Sequence, residues 1–243
     1  MRSWGMTDTG LVRRENQDSY DVRTLLGYTS AVVCDGMGGP AGGRLASSLA
    51  VETFQRELEP VLKEEMSLQQ LAQAASYTVA LANDAIRAAA RDDRTYAHMG
   101  TTLVAALARD HQVLIVNVGD SRAYHISRAG IRQISRDHSL VEALVERGEL
   151  TKDAARRHPQ RNLITRALGP DASVQADHFY VEWKQGDFLL LCSDGLVNTV
   201  SDQEILFEVI HNGEPDDCLQ RLVALSRQRG APDNVTAVLL MNI

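Results

Sequence analysis

The segment from Ala31 to Gly43 constrains the fold of this chain more than any other. An apolar run, Ala31 to Cys34, ends on Asp35 and continues into a series of glycines. A β-branched apolar run of this kind is typical of a buried strand. Glycines directly after a strand let the backbone approach another group closely. The segment therefore predicts a strand whose carboxyl end faces a ligand, followed by a helix that begins near Arg44.

Two kinds of ligand compete for this strand end. Residues 36–41 fit the G-x-G-x-x-A fingerprint of dinucleotide-binding proteins. That fingerprint requires a second strand that ends in an acidic residue about 20 residues further on, whereas residues 44–91 carry helical patterning. An aspartate before the first glycine would also place a carboxylate near the anionic pyrophosphate of a dinucleotide, which disfavours that ligand. Asp35 and the carbonyl oxygen of Gly36 suit a hard divalent cation better.

The composition is that of a single acidic globular domain. The chain has 243 residues, 44% of them apolar, and no shift in composition marks a linker, so we expect one domain over residues 1–243. A net charge of −7 argues against a nucleic-acid surface. Neither a long apolar run nor an apolar N-terminal stretch is present, so we expect a cytoplasmic protein without membrane contact. The cysteines form no C-x-x-C pair, which predicts packed thiols at Cys34 and Cys192.

Hydrophobic periodicity predicts an α+β fold. The predicted strands are residues 31–34, 102–108, 112–118, 123–127, 131–135, 175–182, 188–192 and 235–241. The predicted helices are residues 43–57, a longer one that opens with a capping box at Ser67, and others that open at Ser139, Thr151, Ser201 and Pro215. Strands in hairpins, with helices inserted in pairs, indicate antiparallel sheets packed face to face with helices outside.

The stretch 136–169 stands apart from this pattern. It is a polar insertion between strands that contains only short helical segments, one stopped by Gly148 and the next by Pro159. Plain connections are much shorter, so an insertion of this length is usually functional or a lid.

Four aspartates stand next to apolar runs. Asp35, Asp120 and Asp194 each follow one, and Asp233 precedes one. Antiparallel sheets can bring all four to one edge, where buried carboxylates take up protons or bind cations. Ligation by oxygen alone favours Mg²⁺ or Mn²⁺ over zinc. A single Asp-Gly pair is more often a turn, but two such pairs directly after strands leave the turn and the metal site as equal alternatives.

A pair of such ions about 3.5–4 Å apart would activate a water molecule at neutral pH and clamp a phosphoryl oxygen. In-line hydrolysis of a phosphate monoester is the reaction that suits such a pair of metal ions. The sequence contains neither a serine elbow nor a cysteine loop for a covalent route.

Seven ordered motifs make the chain resemble the metal-dependent serine/threonine protein phosphatases of type 2C, and their bacterial branch closely. The motifs are R-x-x-N-Q-D from Arg13, D-G-M-G-G from Asp35, M-G-T-T from Met99, G-D-S-R from Gly119, D-H-S-L from Asp137, S-D-G-L from Ser193 and D-N-V-T from Asp233. They span nearly the whole chain. The resemblance implies a four-layer sandwich, in which two antiparallel sheets lie between pairs of helices.

The resemblance also implies a set of metal ligands. Asp35 would bridge two Mn²⁺ or Mg²⁺ ions, with the carbonyl oxygen of Gly36 on one and Asp194 and Asp233 on the other. Asp120 would help Asp194 to hold a third, weaker ion.

Three further assignments follow from the same resemblance. Asp18 would act mostly through metal-bound waters. Arg13 resembles the phosphate-binding arginine of the family, whose planar fork suits two phosphate oxygens at once. The segment 136–169 is similar to the mobile flap beside the family's active site, and we expect it to tune substrate choice more than chemistry.

The chain departs from the family pattern at two positions. Many eukaryotic members have a histidine after the Asp-Gly pair that is thought to protonate the leaving hydroxyl, whereas this chain has Met37, as bacterial relatives often do. We expect a metal-bound water to take that role first, and His138 or His158 only second. Gln17 replaces the common glutamate and could hydrogen-bond a metal-bound water without adding charge.

The resemblance thus implies a monomeric, cytoplasmic enzyme that hydrolyses phosphoserine and phosphothreonine in proteins by a metal-activated water. Its expected partners are the phosphorylated substrates of a bacterial serine/threonine kinase and the kinase itself. Two alternatives stay open. One is a phosphatase of small phosphate esters or phosphotyrosine that uses the same metals. The other is a non-catalytic metal-binding interaction module.

Overall fold

The computed structural model describes the backbone of residues 1–243 and all side chains except those of residues 40, 41 and 156. The strands are β1 Arg2–Asp8, β2 Asp18–Leu25, β3 Tyr28–Met37, β4 Gly100–Thr101, β5 Leu103–Arg109, β6 Gln112–Val118, β7 Arg122–Ser127, β8 Gly130–Gln133, β9 Asp177–Glu182, β10 Phe188–Cys192 and β11 Val235–Met241. The α-helices are α1 Gly39–Leu58, α2 Leu68–Asp92, α3 Leu140–Glu146, α4 Lys152–Arg156, α5 Asp194–Val197, α6 Asp202–Ile210 and α7 Cys218–Gln228.

The strands form two antiparallel sheets. One has five strands in the order β1-β11-β10-β7-β8, and the other contains β2-β3-β5-β6-β9, with the short β4 beside β3. Helices α1 and α2 pack on the outer face of the second sheet, and α6 and α7 pack on the outer face of the first. The predicted four-layer α+β sandwich is therefore confirmed.

Strand β3 shows how the sequence divides its side chains between the layers. Val32 and Cys34 belong to the core beneath α1 and α2, whereas Ala31 and Val33 belong to the core between the two sheets. Alternate residues of a strand point to opposite faces. Asp35 therefore continues the row of Ala31 and Val33, on the face that looks toward the other sheet.

The predicted hairpin pairs and helix caps are largely confirmed. Ser67 accepts a hydrogen bond from the backbone N–H of Gln70 at 3.2 Å, and Gln70 accepts one from the N–H of Ser67 at 2.9 Å, which is the predicted capping box at the start of α2. Helix α1 begins earlier than predicted, at Gly39, because Gly38 at φ 117° turns the chain directly into the helix. Strands β1, β2 and β4 and the one-turn helix α5 were not among the predicted elements.

Cys34 and Cys192 are free thiols with no exposed surface, as predicted from their positions at the ends of apolar runs. Burial raises the pKa of Cys192 to about 12, which makes this thiol unreactive at neutral pH. No helix in the described part of the chain is long and apolar enough to cross a membrane.

Candidate metal and phosphate site

Five aspartates meet at one end of the sandwich. Asp18 and Asp35 lie on β2 and β3 of the six-stranded sheet. Asp194 and Asp233 lie next to β10 and β11 of the five-stranded sheet. Asp120 lies in the turn that carries the chain from β6 to β7, from one sheet to the other. The structure therefore brings together all the carboxylates that the sequence nominated.

The β2–β3 register places two of these carboxylates side by side. Asp18 is the direct partner of Asp35 across the two strands, and directly opposed residues present their side chains on the same face. One carboxylate oxygen of Asp18, Oδ2, accepts a hydrogen bond from the hydroxyl of Ser193 at 2.7 Å, which links this pair to the other sheet. Its second oxygen, Oδ1, is buried and has no hydrogen-bond partner among the described groups.

The M-G-T-T motif holds the backbone of Asp35. The N–H of Asp35 donates to the hydroxyl of Thr102 at 2.9 Å, and its carbonyl accepts from the N–H of Thr102 at 2.9 Å. The hydroxyl of Thr101 donates to the same carbonyl at 2.8 Å. These contacts fix the direction of the Asp35 side chain without using its carboxylate.

A close backbone contact brings Asp194 next to Asp233. A Cβ atom at Gly195 would lie 2.0 Å from the carbonyl oxygen of Asn234, so only glycine fits between α5 and the residues before β11. The amide of Asn198 donates to Oδ2 of Asp194 at 3.0 Å. The second Asp-Gly pair is thus explained by packing between two segments that each supply a carboxylate.

Burial and mutual repulsion raise the pKa values of this cluster. Burial is the largest cause for Asp35, whose pKa lies well above its ordinary value, and the charges of Asp18 and Asp194 add to it. Burial also raises the pKa of Asp18 to about 6, against the hydrogen bonds from Thr236 and Ser193. Burial and the charge of Asp233 raise the pKa of Asp194, while a side-chain hydrogen bond with Asp35 lowers it.

Asp120 is the carboxylate with the least compensation. It is 8% exposed, and its Oδ1 has no hydrogen-bond partner among the described groups. Burial first, then the charges of Asp194 and Asp137, raise the pKa of Asp120 to about 8. A buried carboxylate of this kind either keeps a proton or needs a cation.

Arg13 lies on the exposed side of the cluster. Its Nη2 atom is 2.7 Å from Oδ2 of Asp233, and its side chain is 55% exposed. The hydrogen bond and the charge of Asp233 raise the pKa of Arg13, and Asp35 and Asp194 contribute in the same direction. The arginine nominated for phosphate binding therefore lies beside the carboxylates, with one donor on Asp233 and a largely exposed side chain.

Asn234 is a site residue that sequence reasoning did not single out. Its side-chain amide donates to the carbonyls of Thr9 at 2.9 Å and Glu15 at 3.0 Å, and its Oδ1 accepts from the N–H of Gln17 at 2.9 Å. The residue thus ties the loop that carries Arg13 to the start of β11. The available signal was its place directly after Asp233, in a motif noted only for the aspartate.

The glycines after Asp35 serve mainly to bring backbones together. A Cβ at Gly36 would lie 2.0 Å from the carbonyl oxygen of Gly43 and 2.7 Å from that of Gln17. The close backbone approach expected of these glycines is present at Gly36 and Gly43, but the group that they approach is protein backbone, since they let α1 pack directly on the end of β3. Gln17 donates from Nε2 to the carbonyl of Gly39 at 2.8 Å, so it also joins this packing.

The segment 136–169 is attached next to Asp120 through His138. The N–H of Gly119 donates to Nδ1 of His138 at 3.0 Å, which leaves the ring proton on Nε2, 3.2 Å from Oδ2 of Asp177. Arg166 donates from Nη1 to Oδ1 of Asp177 at 2.7 Å. Burial lowers the pKa of His138. Both ring nitrogens are engaged, so His138 supports the structure and is unsuited to the role of general acid.

The donor set fits hard divalent cations. The cluster offers carboxylate oxygens only, two of which are buried without partners, and such ligands select Mg²⁺ or Mn²⁺. In the part of the chain whose side chains are described, no group of three or more carboxylates, histidines or cysteines is arranged so that it could hold a metal ion. Two of the carboxylates are engaged by other groups, since Asp233 is paired with Arg13 and the side chain of Asp194 interacts with that of Asp35.

Solved structures share this fold along the whole chain. The serine/threonine phosphatase Stp1 from Staphylococcus aureus superposes with a TM-score of 0.93 at 35% identity, over 99% of this chain and 94% of that one. The catalytic domain of the serine/threonine protein phosphatase PstP in complex with two manganese ions gives a TM-score of 0.85 at 34% identity, over 98% and 96% of the two chains. The fold and the carboxylate site thus define the chain as a protein of the phosphatase class.

Sequence comparison identifies the family. The family model for protein phosphatase 2C matches residues 12–236. A serine/threonine phosphatase, Stp, from Listeria monocytogenes is 36% identical over 238 residues, which cover 96% of this chain and 93% of the relative. PstP from Mycobacterium tuberculosis is also 36% identical, over 98% of this chain but only 44% of the relative. The chain belongs to the protein phosphatase 2C family.

Proposed function

We propose that this chain is a protein serine/threonine phosphatase that hydrolyses phosphoserine and phosphothreonine with the help of Mn²⁺ or Mg²⁺ and reverses the action of a bacterial serine/threonine kinase. The observation that carries the proposal is the convergence of five carboxylates from both sheets on one end of the sandwich. Family membership and the names of the relatives support the same activity.

The chain's own residues suit this reaction. Asp35, the carbonyl of Gly36, Asp194 and Asp233 would hold two cations, and Asp120 with Asp194 a third. When bound, such cations lower the pKa of water and withdraw charge from a phosphoryl group. Asp18 lies beside Asp35 with one oxygen fixed by Ser193 and the other free, so it can accept a hydrogen bond from water that enters the site.

Arg13 would orient the phosphate. Its guanidinium lies on Asp233 with a largely exposed side chain, so a phosphate that approaches from solvent meets the fork of donors first. The proton for the leaving hydroxyl would come from water, since Met37 has no proton to give and His138 is held by Gly119 and Asp177.

We further propose that residues 1–243 act as one catalytic domain and that residues 136–169 form its flap. The segment is closed at its neck, where the N–H of Leu140 donates to the carbonyl of Leu163 at 2.9 Å and the N–H of Thr165 donates to that of His138 at 2.8 Å. None of the five clustered aspartates belongs to it. A monomer in the cytoplasm, acting on kinase substrates and on the kinase itself, completes the proposal.

Hydrolysis of a phosphothreonine peptide with and without Mn²⁺ tests the proposal. We expect activity that depends on the metal, disappears with chelator, and falls at least about 100-fold in Asp194→Asn because a metal ligand is lost. Asp84→Asn, at an exposed position on α2, is the matched control and should retain full activity. Activity that survives the chelator, or an undiminished rate in Asp194→Asn, contradicts the proposal.

A broader phosphatase of small esters or phosphotyrosine would use the same carboxylates. A panel that compares phosphoserine, phosphothreonine and phosphotyrosine peptides of one sequence with a small chromogenic ester separates the two proposals. A non-catalytic module would bind Mn²⁺ in a calorimeter yet hydrolyse no member of the panel.

A further inference from the structure

A pocket opens beside the aspartate cluster, and apart from Asp18 its lining plays no part in the chemistry described above. It encloses about 510 Å³ between the loop before β2 and the first turns of α1, and its lining includes Arg14, Glu15, Asp18, Ser19, Arg44 and Ser48. Asp18 belongs both to this lining and to the aspartate cluster. The pocket is therefore a direct extension of the site toward Arg14 and Arg44, and we call it the arginine pocket.

Two arginines without ionic partners mark this pocket. Arg14 and Arg44 are exposed, and no described side chain places a carboxylate within salt-bridge distance of either. Nearby arginines are paired, as Arg13 is with Asp233 and Arg122 with Asp137. The guanidiniums of the arginine pocket are thus available to a ligand, in a protein whose net charge is −7.

Both arginines stand on backbone that is held in place. Asn234 binds the loop on both sides of Arg14, through the carbonyls of Thr9 and Glu15. The hydroxyl of Ser47 donates to the carbonyl of Gln17 at 2.6 Å, which joins α1 to the same loop one turn after Arg44. Positions fixed in this way can present two guanidiniums in a constant relation to each other, which favours binding of a defined anionic group.

The remaining lining is compatible with an anion. The hydroxyl of Ser19 lies 2.9 Å from that of Ser47, whose proton is donated to the carbonyl of Gln17, and 3.3 Å from that of Ser48. Ser19 can therefore donate to Ser47, which leaves the hydroxyl of Ser48 in the lining as a donor for an anion. Glu15 is the one exposed acid in the lining and forms no ion pair with a described arginine. The charges of Glu15 and Asp18 both oppose the attraction of the two arginines for an anion. The cations proposed at the aspartate cluster would offset the charge of Asp18, which leaves Glu15 alone against Arg14 and Arg44.

We propose that the arginine pocket is a substrate subsite for a second anionic group, a carboxylate or a second phosphate, carried by the phosphoprotein close to the residue that is dephosphorylated. This inference rests on the proposed function. An acidic flanking residue is otherwise repelled by the net charge of the protein, which is −7. Arg14 and Arg44 compensate for this repulsion, because guanidinium forks bind carboxylate and phosphate through paired hydrogen bonds.

Matched phosphothreonine peptides test the subsite in the presence of Mn²⁺. One peptide has neutral flanks, a set carries a glutamate at successive flanking positions, and another set carries a second phosphothreonine at those positions. We expect kcat/KM to rise about five- to tenfold at one or two positions relative to the neutral peptide, mainly through a lower KM, since the interaction binds substrate and transition state alike. The glutamate and phosphothreonine sets tell which of the two anions the pocket prefers.

Charge-changing variants identify the residues responsible. Arg14→Gln and Arg44→Gln should each reduce the ratio of acidic to neutral peptide toward unity, whereas Glu15→Gln should increase it. Arg128→Gln, in the exposed turn between β7 and β8 at the other end of β7 from Asp120, is the matched control and should leave the ratio unchanged. The opposite effects of the arginine and glutamate variants cannot come from a general loss of stability.

Three outcomes overturn the subsite. They are equal kcat/KM for all peptides, a preference that persists in both arginine variants, and a preference that Arg128→Gln removes equally well. Inhibition by inorganic phosphate that weakens in the arginine variants, with no peptide preference, would assign the pocket to free phosphate and also overturn it. If the wild-type protein hydrolyses no peptide in Mn²⁺, the proposed function itself fails, which is a distinct result.

Discussion

Asp120 shows how a carboxylate of the site lowers the stability of the folded, metal-free protein. Its carboxylate is buried in the β6–β7 turn, with one oxygen unpartnered among the described groups and with Asp194 and Asp137 as neighbours of like charge. A pKa of about 8 means that folding favours the protonated form of Asp120. The residue therefore stabilises the metal-free protein only while it keeps its proton.

The pH dependence of stability follows with a definite sign. The pKa of Asp120 is higher in the folded than in the unfolded protein, so its favourable contribution is complete at acidic pH and is lost as the pH rises through about 8. We expect Asp120→Asn to raise the free energy of unfolding of the metal-free protein by several kcal/mol near pH 8, since the shift from 3.8 to about 8 spans about four pKa units of about 1.4 kcal/mol each. Near pH 4 the gain should vanish.

Chemical denaturation in chelator at both pH values measures this difference. Asp84→Asn removes an exposed carboxylate of the same kind and should show no such pH-dependent gain. Equal stabilities of Asp120→Asn and wild type at both pH values would contradict the prediction.

Substitution of Asn234 should reduce both the stability and the activity of the protein. Its amide makes hydrogen bonds to backbone groups of residues 9, 15 and 17, and it is 5% exposed. Asn234→Ala leaves these groups without their partner and should cost about 1–3 kcal/mol. Thermal unfolding checks the loss, and a rise in KM for phosphopeptides should accompany it, because the loop carries Arg13. Asn212→Ala, between α6 and α7, is a control for amide removal away from the site.

Segment 136–169 is attached to the rest of the domain by a small group of charged and polar side chains. His138, Arg166 and Asp177 form a connected group in which the segment meets β9 and the turn before Asp120. Asp177 is the carboxylate that pairs with Arg166, whose Nη1 also donates to the carbonyl of Gln175 at 3.0 Å, so the loss of Asp177 removes the ionic contact of Arg166 with β9. We therefore regard Asp177 as a positioning residue for the flap.

Asp177→Asn should separate substrate choice from chemistry. We expect kcat/KM for a folded phosphoprotein to fall about tenfold, while hydrolysis of a small chromogenic ester changes less than about twofold, because the altered contacts involve no clustered carboxylate. Asp187→Asn is a matched control: Asp187 also contacts a histidine, His125, but lies before β10 at the end remote from Asp194. An equal loss for both substrates would show that the segment shapes the chemical site itself.

Carboxylates from both sheets repel one another at one end of the sandwich. Cations bound between them should therefore raise the free energy of unfolding of the whole domain. A ligand present at about 100 times its Kd stabilises the folded state by about 2.7 kcal/mol. For a chain of this size that corresponds to a rise in Tm of about 5–11 °C. We expect this rise with Mn²⁺, its reversal by chelator, and a much smaller rise in Asp35→Asn. A Tm that Mn²⁺ does not change would contradict the prediction.

Much of the architecture could be predicted from local patterns. The capping box at Ser67, the hairpin of β5 and β6 and the apolar runs before Asp35 and Asp194 depend on neighbours in the chain, and the structure contains each of them. Strand β2 was missed because Asp18–Leu25 mixes charged and apolar residues along both faces of an edge strand. Its identity as a strand comes from pairing with β3, not from its own periodicity.

Periodicity, caps and strand-end aspartates are local properties of the chain, so the packed antiparallel sheets with helices outside and the residue types of the site could be predicted from the sequence. How those aspartates meet depends on the tertiary structure. The Asp18–Asp35 register, the contact of Gly195 with Asn234 and the attachment of His138 to Gly119 join residues far apart in sequence. The same is true of the arginine pocket, since Arg14 and Arg44 become neighbours only when α1 packs on the loop before β2. Such long-range contacts depend on which surfaces fit together, and no local pattern encodes that fit.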